Sequence, residues 1–127
     1  MFTSELPNNC PPKEAFSSEK VLFRIFIDGE ISEKEFIPYV VLYPDNKRYK
    51  KLCIAYSLSF YNDFNNAKNA YNDALKRNKK LGKFIAKLKI NKKLGKFFTK
   101  DGKHYSFWIY NYRSISEIEC LEMSEIE

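Results

Sequence analysis

Lys83-Phe84-Ile85-Ala86-Lys87-Leu88-Lys89-Ile90 is the stretch on which the fold of this chain turns. Phe84, Ala86, Leu88 and Ile90 alternate with Ile85, Lys87 and Lys89. That two-residue period is the mark of a half-buried strand. The strand sits inside Lys76–Lys100, where eleven of 25 residues are Lys or Arg and none is Asp or Glu. Just before it, Phe64, Ala67, Tyr71, Ala74 and Leu75 recur at helical spacing. This pattern predicts one long helix over about 63–81, capped by Asn62 or Asp63 at its start and by Gly82 at its end.

Working outward, Val21–Ile27 is apolar and β-prone and closes at Asp28-Gly29, which predicts a first strand. Ser32-x-x-Glu35 has the form of a capping box before a brief helix that Pro38 must end. Tyr39–Tyr43 and Leu52–Phe60 read as two further strands. Phe97-Phe98 and Tyr105–Tyr112 flank the turn signal Asp101-Gly102 and predict a hairpin of 96–100 with 103–112. Ser116-x-x-Glu119 with Ile115, Ile118 and Leu121 suggests a short amphipathic helix at the end. The expected fold class is α+β: one small domain over 1–127, with a mixed or antiparallel sheet and the long helix packed on it. Residues 1–19, with Pro7, Pro11 and Pro12, form an extended lead-in over that domain, and 114–127 an acidic segment with five Glu and no basic residue.

The chain has 127 residues, a net charge of +6, 44% hydrophobic and 17% aromatic residues, which is a composition of folded rather than disordered protein. Of the 22 basic residues 18 are Lys, and eleven positions are Asn, a bias that AT-rich coding also produces. The clustering of charge is therefore more informative than its total. Cys10, Cys53 and Cys120 are odd in number and far apart, with no C-x-x-C pair, and a single His completes no zinc set. They read as free, reduced thiols, with Cys53 inert in an apolar strand. Met1–Glu5 has neither the basic start nor the apolar core of a signal peptide, so a cytoplasmic protein is expected.

The heptapeptide Asn-Lys-Lys-Leu-Gly-Lys-Phe occurs at 78–84 and again at 91–97. Thirteen residues is too short a period for a solenoid unit, and the copies are expected in different structures, a helix end and a loop. Their expected meaning is electrostatic. Lys79, Lys80, Lys83, Lys87, Lys89, Lys92, Lys93 and Lys96 would form one basic surface, extended by Lys47, Arg48, Lys50 and Lys51. Such a surface binds phosphates by counterion release, and Lys positions a polymer without reading its bases. The expected partner is nucleic acid, with low sequence specificity, or an acidic protein face; the acidic end could instead fold back and screen the lysines. No membrane and no metal are expected. His104, in Lys103–Trp108, reads first as a hydrogen-bonded strand-end residue.

Leu6–Pro12 with its Cys-Pro-Pro, Phe23-Arg24-Ile25-Phe26, Tyr43-Pro44-Asp45, Cys53-Ile54-Ala55, Leu58-Ser59-Phe60 and His104–Trp108 together resemble a group of short bacterial proteins without assigned activity. Those share a Cys-Pro-Pro lead-in, a strand like Tyr-Arg-Leu-Val and a His-aromatic close. The resemblance covers roughly 6–70 and 104–108, and departs at Tyr56-Ser57 and Tyr105. It implies a context in bacterial defence, including phage defence, or mobile elements. A second likeness is to ADP-ribosyltransferases of the Arg, Ser-x-Ser, Glu-x-Glu type, through Arg24, Ser57-Leu58-Ser59 and Glu117-Ile118-Glu119. It implies NAD as cofactor, with Arg24 on its phosphates, Ser57 or Ser59 at its nicotinamide half and Glu119 on a hydroxyl, and His104 as a further candidate. The leading expectation is a non-enzymatic binding protein without cofactor; the NAD-using enzyme is the alternative.

Overall fold

The computed structural model describes residues 5–126. Strands β1 (Lys20–Phe26), β2 (Leu58–Tyr61), β3 (Phe84–Ile90), β4 (Gly95–Phe98), β5 (His104–Ile109) and β6 (Glu119–Glu125) form one sheet in the order β4-β5-β2-β1-β3-β6. Every neighbouring pair is antiparallel. Two α-helices accompany it, α1 (Tyr39–Leu42) and α2 (Phe64–Lys76), with 3-10 turns at Glu33–Phe36, Tyr49–Lys51, Cys53–Tyr56 and Tyr112–Glu117. The fold is a small α+β domain. The decisive strand is where the sequence places it: β3 pairs with β1 along its whole length, from Phe26 opposite Phe84 to Lys20 opposite Ile90.

Alternation gives the sheet two faces. Leu22, Phe26, Phe60, Ala86, Leu88, Phe97 and Phe107 share the first, and each is buried together with Phe36, Leu94 and Ile118 from the connecting segments. Phe60 meets Phe107 edge-on at 5.7 Å, and Phe97 stacks on Phe107 at 4.4 Å. On the second face α2 packs Ala67, Tyr71 and Ala74 across β1, β2 and β3. The lead-in lies against β4 as expected: Phe16 and Phe97 exchange backbone hydrogen bonds of 2.9 and 2.7 Å.

Several expectations are corrected. The helix α2 starts as read, with the Asp63 carboxylate accepting from Asn66 N at 2.7 Å, but it ends at Lys76. Asn78, at φ 59°, takes the left-handed position. Asn78 N then donates to Leu75 O and Lys79 N to Ala74 O, the two bonds of a Schellman close. Gly82 has another task, since a Cβ there would stand 2.3 Å from Phe26 O. Both copies of the heptapeptide consequently lie in loops entering a strand, and Gly95 makes the matching approach to Trp108 O, where a Cβ would not fit. The copies are thus structurally more alike than their reading as helix end and loop.

Tyr39–Tyr43 is a helical turn rather than a strand, because Pro38 fixes an extended N-cap and Val41, Leu42 and Tyr43 donate back to Pro38 and Tyr39. Leu52–Phe60 is strand only from Leu58, since Cys53–Tyr56 coils into 3-10 geometry. The acidic end is not helical: 112–117 is a 3-10 segment and β6 adds an edge strand to β3, where Glu119 faces Lys89 and Glu122 faces Lys87. The capping box at Ser32 is not formed, because the Glu35 carboxylate instead accepts from Ile27 N and Asp28 N, both at 2.8 Å.

The cysteines differ most. Cys10 and Cys53 form a disulfide across 43 residues, and among the described residues Cys120 alone is free and exposed. No local spacing announces the pair, because only the path of the lead-in over the Cys53–Tyr56 turn brings the two together. Disulfides persist in oxidising compartments, so the inference of compartment from unpaired thiols loses its premise. Among the described residues no helix is long and apolar enough to cross a membrane.

Candidate functional site

The eight lysines read as one surface are divided by the fold into separate groups. Lys87 and Lys89 stand on one face of β3 beside the acidic strand β6. Lys87 is half-buried with its Nζ 6.0 Å from the Phe23 ring centroid, and Lys89 Nζ lies 4.0 Å from a Glu19 carboxylate oxygen. Lys79, Lys80 and Lys83 precede β3, whereas Lys92 and Lys93 follow it. The seven extended residues of β3 separate those ends by about 20 Å. Lys96 belongs to β4 at the opposite edge of the sheet. The screening considered for the acidic end is therefore built in along β3, from Lys89 opposite Glu119 to Phe84 opposite Glu125, with Ile126 N donating to Lys83 O at 2.8 Å.

At the end occupied by Lys79 and Lys80 the structure adds a feature that the sequence reading missed. Tyr39 opens α1 and Tyr43 caps it one turn later, and Tyr49 comes back over them from the next turn, placed by Tyr49 N donating to Asn46 Oδ1 at 3.1 Å. The Tyr39 and Tyr49 rings stack at 5.9 Å with 21° between their planes. Tyr43 tilts against both, at 6.0 and 6.1 Å. Tyr39 and Tyr43 remain 50% and 55% exposed, so this is a surface cluster and not an outlying part of the core. The three rings, Asn46, Lys79, Lys80 and Leu81 enclose an open concavity of about 510 Å³. Exposed Lys47, Arg48, Lys50 and Lys51 belong to the same segment as Tyr49. Lys79 and Lys80 thus meet three aromatic rings, one of which, Tyr49, is carried by a second basic run some thirty positions earlier in the chain. The available signal was the Tyr-x-x-x-Tyr spacing of 39 and 43, obscured by reading this segment as a strand.

Of the residues of the second likeness, Arg24, Ser57 and Ser59 border one concavity of about 240 Å³, and Glu119 does not. Arg24 is held where β1 and β2 part beyond the Phe23–Tyr61 pair: its Nε donates to Glu35 O at 2.9 Å and one Nη to Ser59 O at 2.8 Å. The guanidinium also lies 5.8 and 5.5 Å from the Phe36 and Phe60 ring centroids. Desolvation lowers its pKa to about 10, against the opposing pull of Glu35, and it stays charged at neutral pH. It replaces missing sheet hydrogen bonds while also bordering two surface concavities. Ser57 Oγ donates to Ile54 O at 2.8 Å within its own turn. Glu119 is on the far edge strand, three strands and four register positions from Ser59, or roughly 20 Å away by strand spacing.

Ser59 Oγ and His104 Nε2 lie 3.0 Å apart. Burial holds the imidazole below its ordinary pKa, with Asp101 opposing. Asp101 Oδ1 accepts from the backbone N–H of Lys103 at 2.8 Å and of His104 at 3.1 Å, and so fixes the turn rather than the ring. Beside His104, a cavity of about 380 Å³ is lined by Trp108, Phe98 and Cys53 among others. The Trp108 indole donates to Cys53 O at 3.1 Å, which ties β5 to the disulfide. His104 is the hydrogen-bonded strand-end residue that the sequence suggested. Among the described residues no cluster of three or more His, Cys, Asp or Glu could hold a metal ion. No family model, curated protein or solved structure matches the chain.

Proposed function

We propose that this protein is a non-enzymatic binding protein that contacts nucleic acid, with low sequence specificity, through the basic end formed by Lys79, Lys80, Lys47, Arg48, Lys50 and Lys51. The observation that carries the reading is the exposed concavity in which Lys79 and Lys80 meet three tyrosine rings, with the second basic run on the segment that carries Tyr49. The acidic strand β6 pairs with Phe84–Lys89 of β3, and these cations lie outside that pairing. Aromatic rings among the cations favour a polymer of phosphates and planar bases over an acidic protein face. Lysine gives register on the phosphates but no bidentate base reading, hence the low specificity.

The test is fluorescence anisotropy with labelled mixed-sequence DNA and RNA over a salt series. Binding should weaken with a log–log slope of about −0.7 to −0.9 for each phosphate neutralised. Lys79→Glu/Lys80→Glu should abolish most of it, and Lys92→Glu/Lys93→Glu at the other end of β3 should leave it nearly intact. Absence of binding by the wild type at about 50 mM salt, where such contacts are strongest, retires the proposal.

A further inference from the structure

We infer that the ligand of this end is single-stranded rather than duplex nucleic acid, with Tyr39, Tyr43 and Tyr49 as a stacking platform for unpaired bases. The inference rests on the nucleic-acid reading above. In a duplex each base is stacked on its neighbours and offers a protein only its edges, so exposed rings at the contact would have nothing to stack on. In a single strand the base faces are accessible, and aromatic side chains beside a basic groove are the usual means of holding them.

Three details of the cluster support this use. Single exposed tyrosines are ordinary, but here three rings touch one another at 5.9–6.1 Å while two of them keep half their surface in solvent. Their backbone is fixed by turn hydrogen bonds, Tyr43 N to Tyr39 O at 2.9 Å and Asn46 N to Tyr43 O at 3.0 Å, so little order has to be acquired on binding. The concavity between the rings and Lys79 and Lys80, about 510 Å³, lies within the range of sites that hold small organic groups. A base can therefore lie on the rings while its phosphate meets a lysine. Every base has a π-face, which agrees with low sequence specificity.

The experiment compares a labelled mixed-sequence DNA strand of about 15 nucleotides, near the upper site size of single-strand binders, with the duplex formed from it, by anisotropy at low salt. The single strand should bind at least about tenfold more tightly. Tyr43→Ala, the variant at the most exposed ring, should lose about tenfold for the single strand and little for the duplex, and Tyr43→Phe should retain binding. Circular dichroism of each variant confirms the fold. Equal affinity for strand and duplex overturns the inference while leaving the basic-surface reading standing, as does wild-type single-strand binding by both Tyr43→Ala and Tyr39→Ala. If the wild type binds neither polymer, both the reading and the inference fall.

Discussion

Breaking the Cys10–Cys53 bond should remove a large part of the stability of this domain. The disulfide closes a loop across 43 residues. The chain-entropy relation for a loop of that length gives about 4 kcal/mol at 25 °C, set against a total of about 5–15 kcal/mol for a typical domain. The native structure adds a second cost, because Cys53 O is the acceptor for the Trp108 indole and the turn carrying it is tethered through the same bond. Trp108 is the only tryptophan in the sequence, so its fluorescence reports on this region without ambiguity. Urea unfolding followed by Trp108 emission should show a midpoint for Cys10→Ser/Cys53→Ser far below that of the oxidised wild type, with a red-shifted native baseline. The reduced wild type should behave like the double variant. Equal midpoints for oxidised and reduced protein, or an intact mass that does not rise by two hydrogens on reduction, would refute the reasoning.

Other consequences follow from single contacts. Arg24→Ala strips the carbonyls of Glu35 and Ser59 of their donor, and should cost about 2–4 kcal/mol in chemical denaturation; Arg24→Lys should recover little, because one ammonium cannot replace the fork. His104 is held below the ordinary imidazole value of 6.5, so as pH falls through 6.5 the unfolded chain takes up a proton that the folded chain refuses. Its contribution is whole above that pH and declines below it, so the Tm should drop as the pH falls below 6.5 in the wild type and less in His104→Gln. The lone imidazole can be followed directly by NMR; a titration at or above the unfolded value would contradict this. Asp101, also held below its ordinary carboxylate range by the two backbone N–H groups it accepts from, titrates in a lower window and does not confuse the experiment. Glu119→Lys/Glu122→Lys places like charges opposite Lys89 and Lys87 and should destabilise β6 by about 0.2–1 kcal/mol per pair, seen as faster amide exchange in Glu119–Glu125.

The parts of the fold written in local periodicity were legible. Alternation in 84–90 and apolar β-branched content in 21–27 located β3 and β1, and Asp101-Gly102 located the β4–β5 hairpin. What failed depended on partners distant in sequence. Glu119–Glu125 has a helical capping signal, yet the free edge of β3 and its lysines draw it into the sheet. Glu35 completes a capping pattern by type, but the unpaired N–H groups past the end of β1 claim its carboxylate. Cys10 and Cys53 meet only because the lead-in is anchored by Phe16 on Phe97.

The candidate site divides the same way. The clustering of lysines in sequence was visible, but a strand of about 20 Å through the middle of the cluster, a length set by its rise per residue, separates its ends. Tyr39 and Tyr43 read as strand residues and Tyr49 as part of a basic run, since convergence of the three requires the turn at Asn46. In both cases the residue types were apparent, and the grouping required the chain path.

The most direct measurement of the central claim is an amide footprint of the wild-type protein, taken by two-dimensional NMR on addition of a short single-stranded oligonucleotide. The account predicts shifts confined to Tyr39–Lys51 and Arg77–Lys83, with the Lys92 and Lys93 amides unmoved. Shifts centred on Lys92 and Lys93 or on β6, or a spectrum unchanged at saturating oligonucleotide, would contradict it.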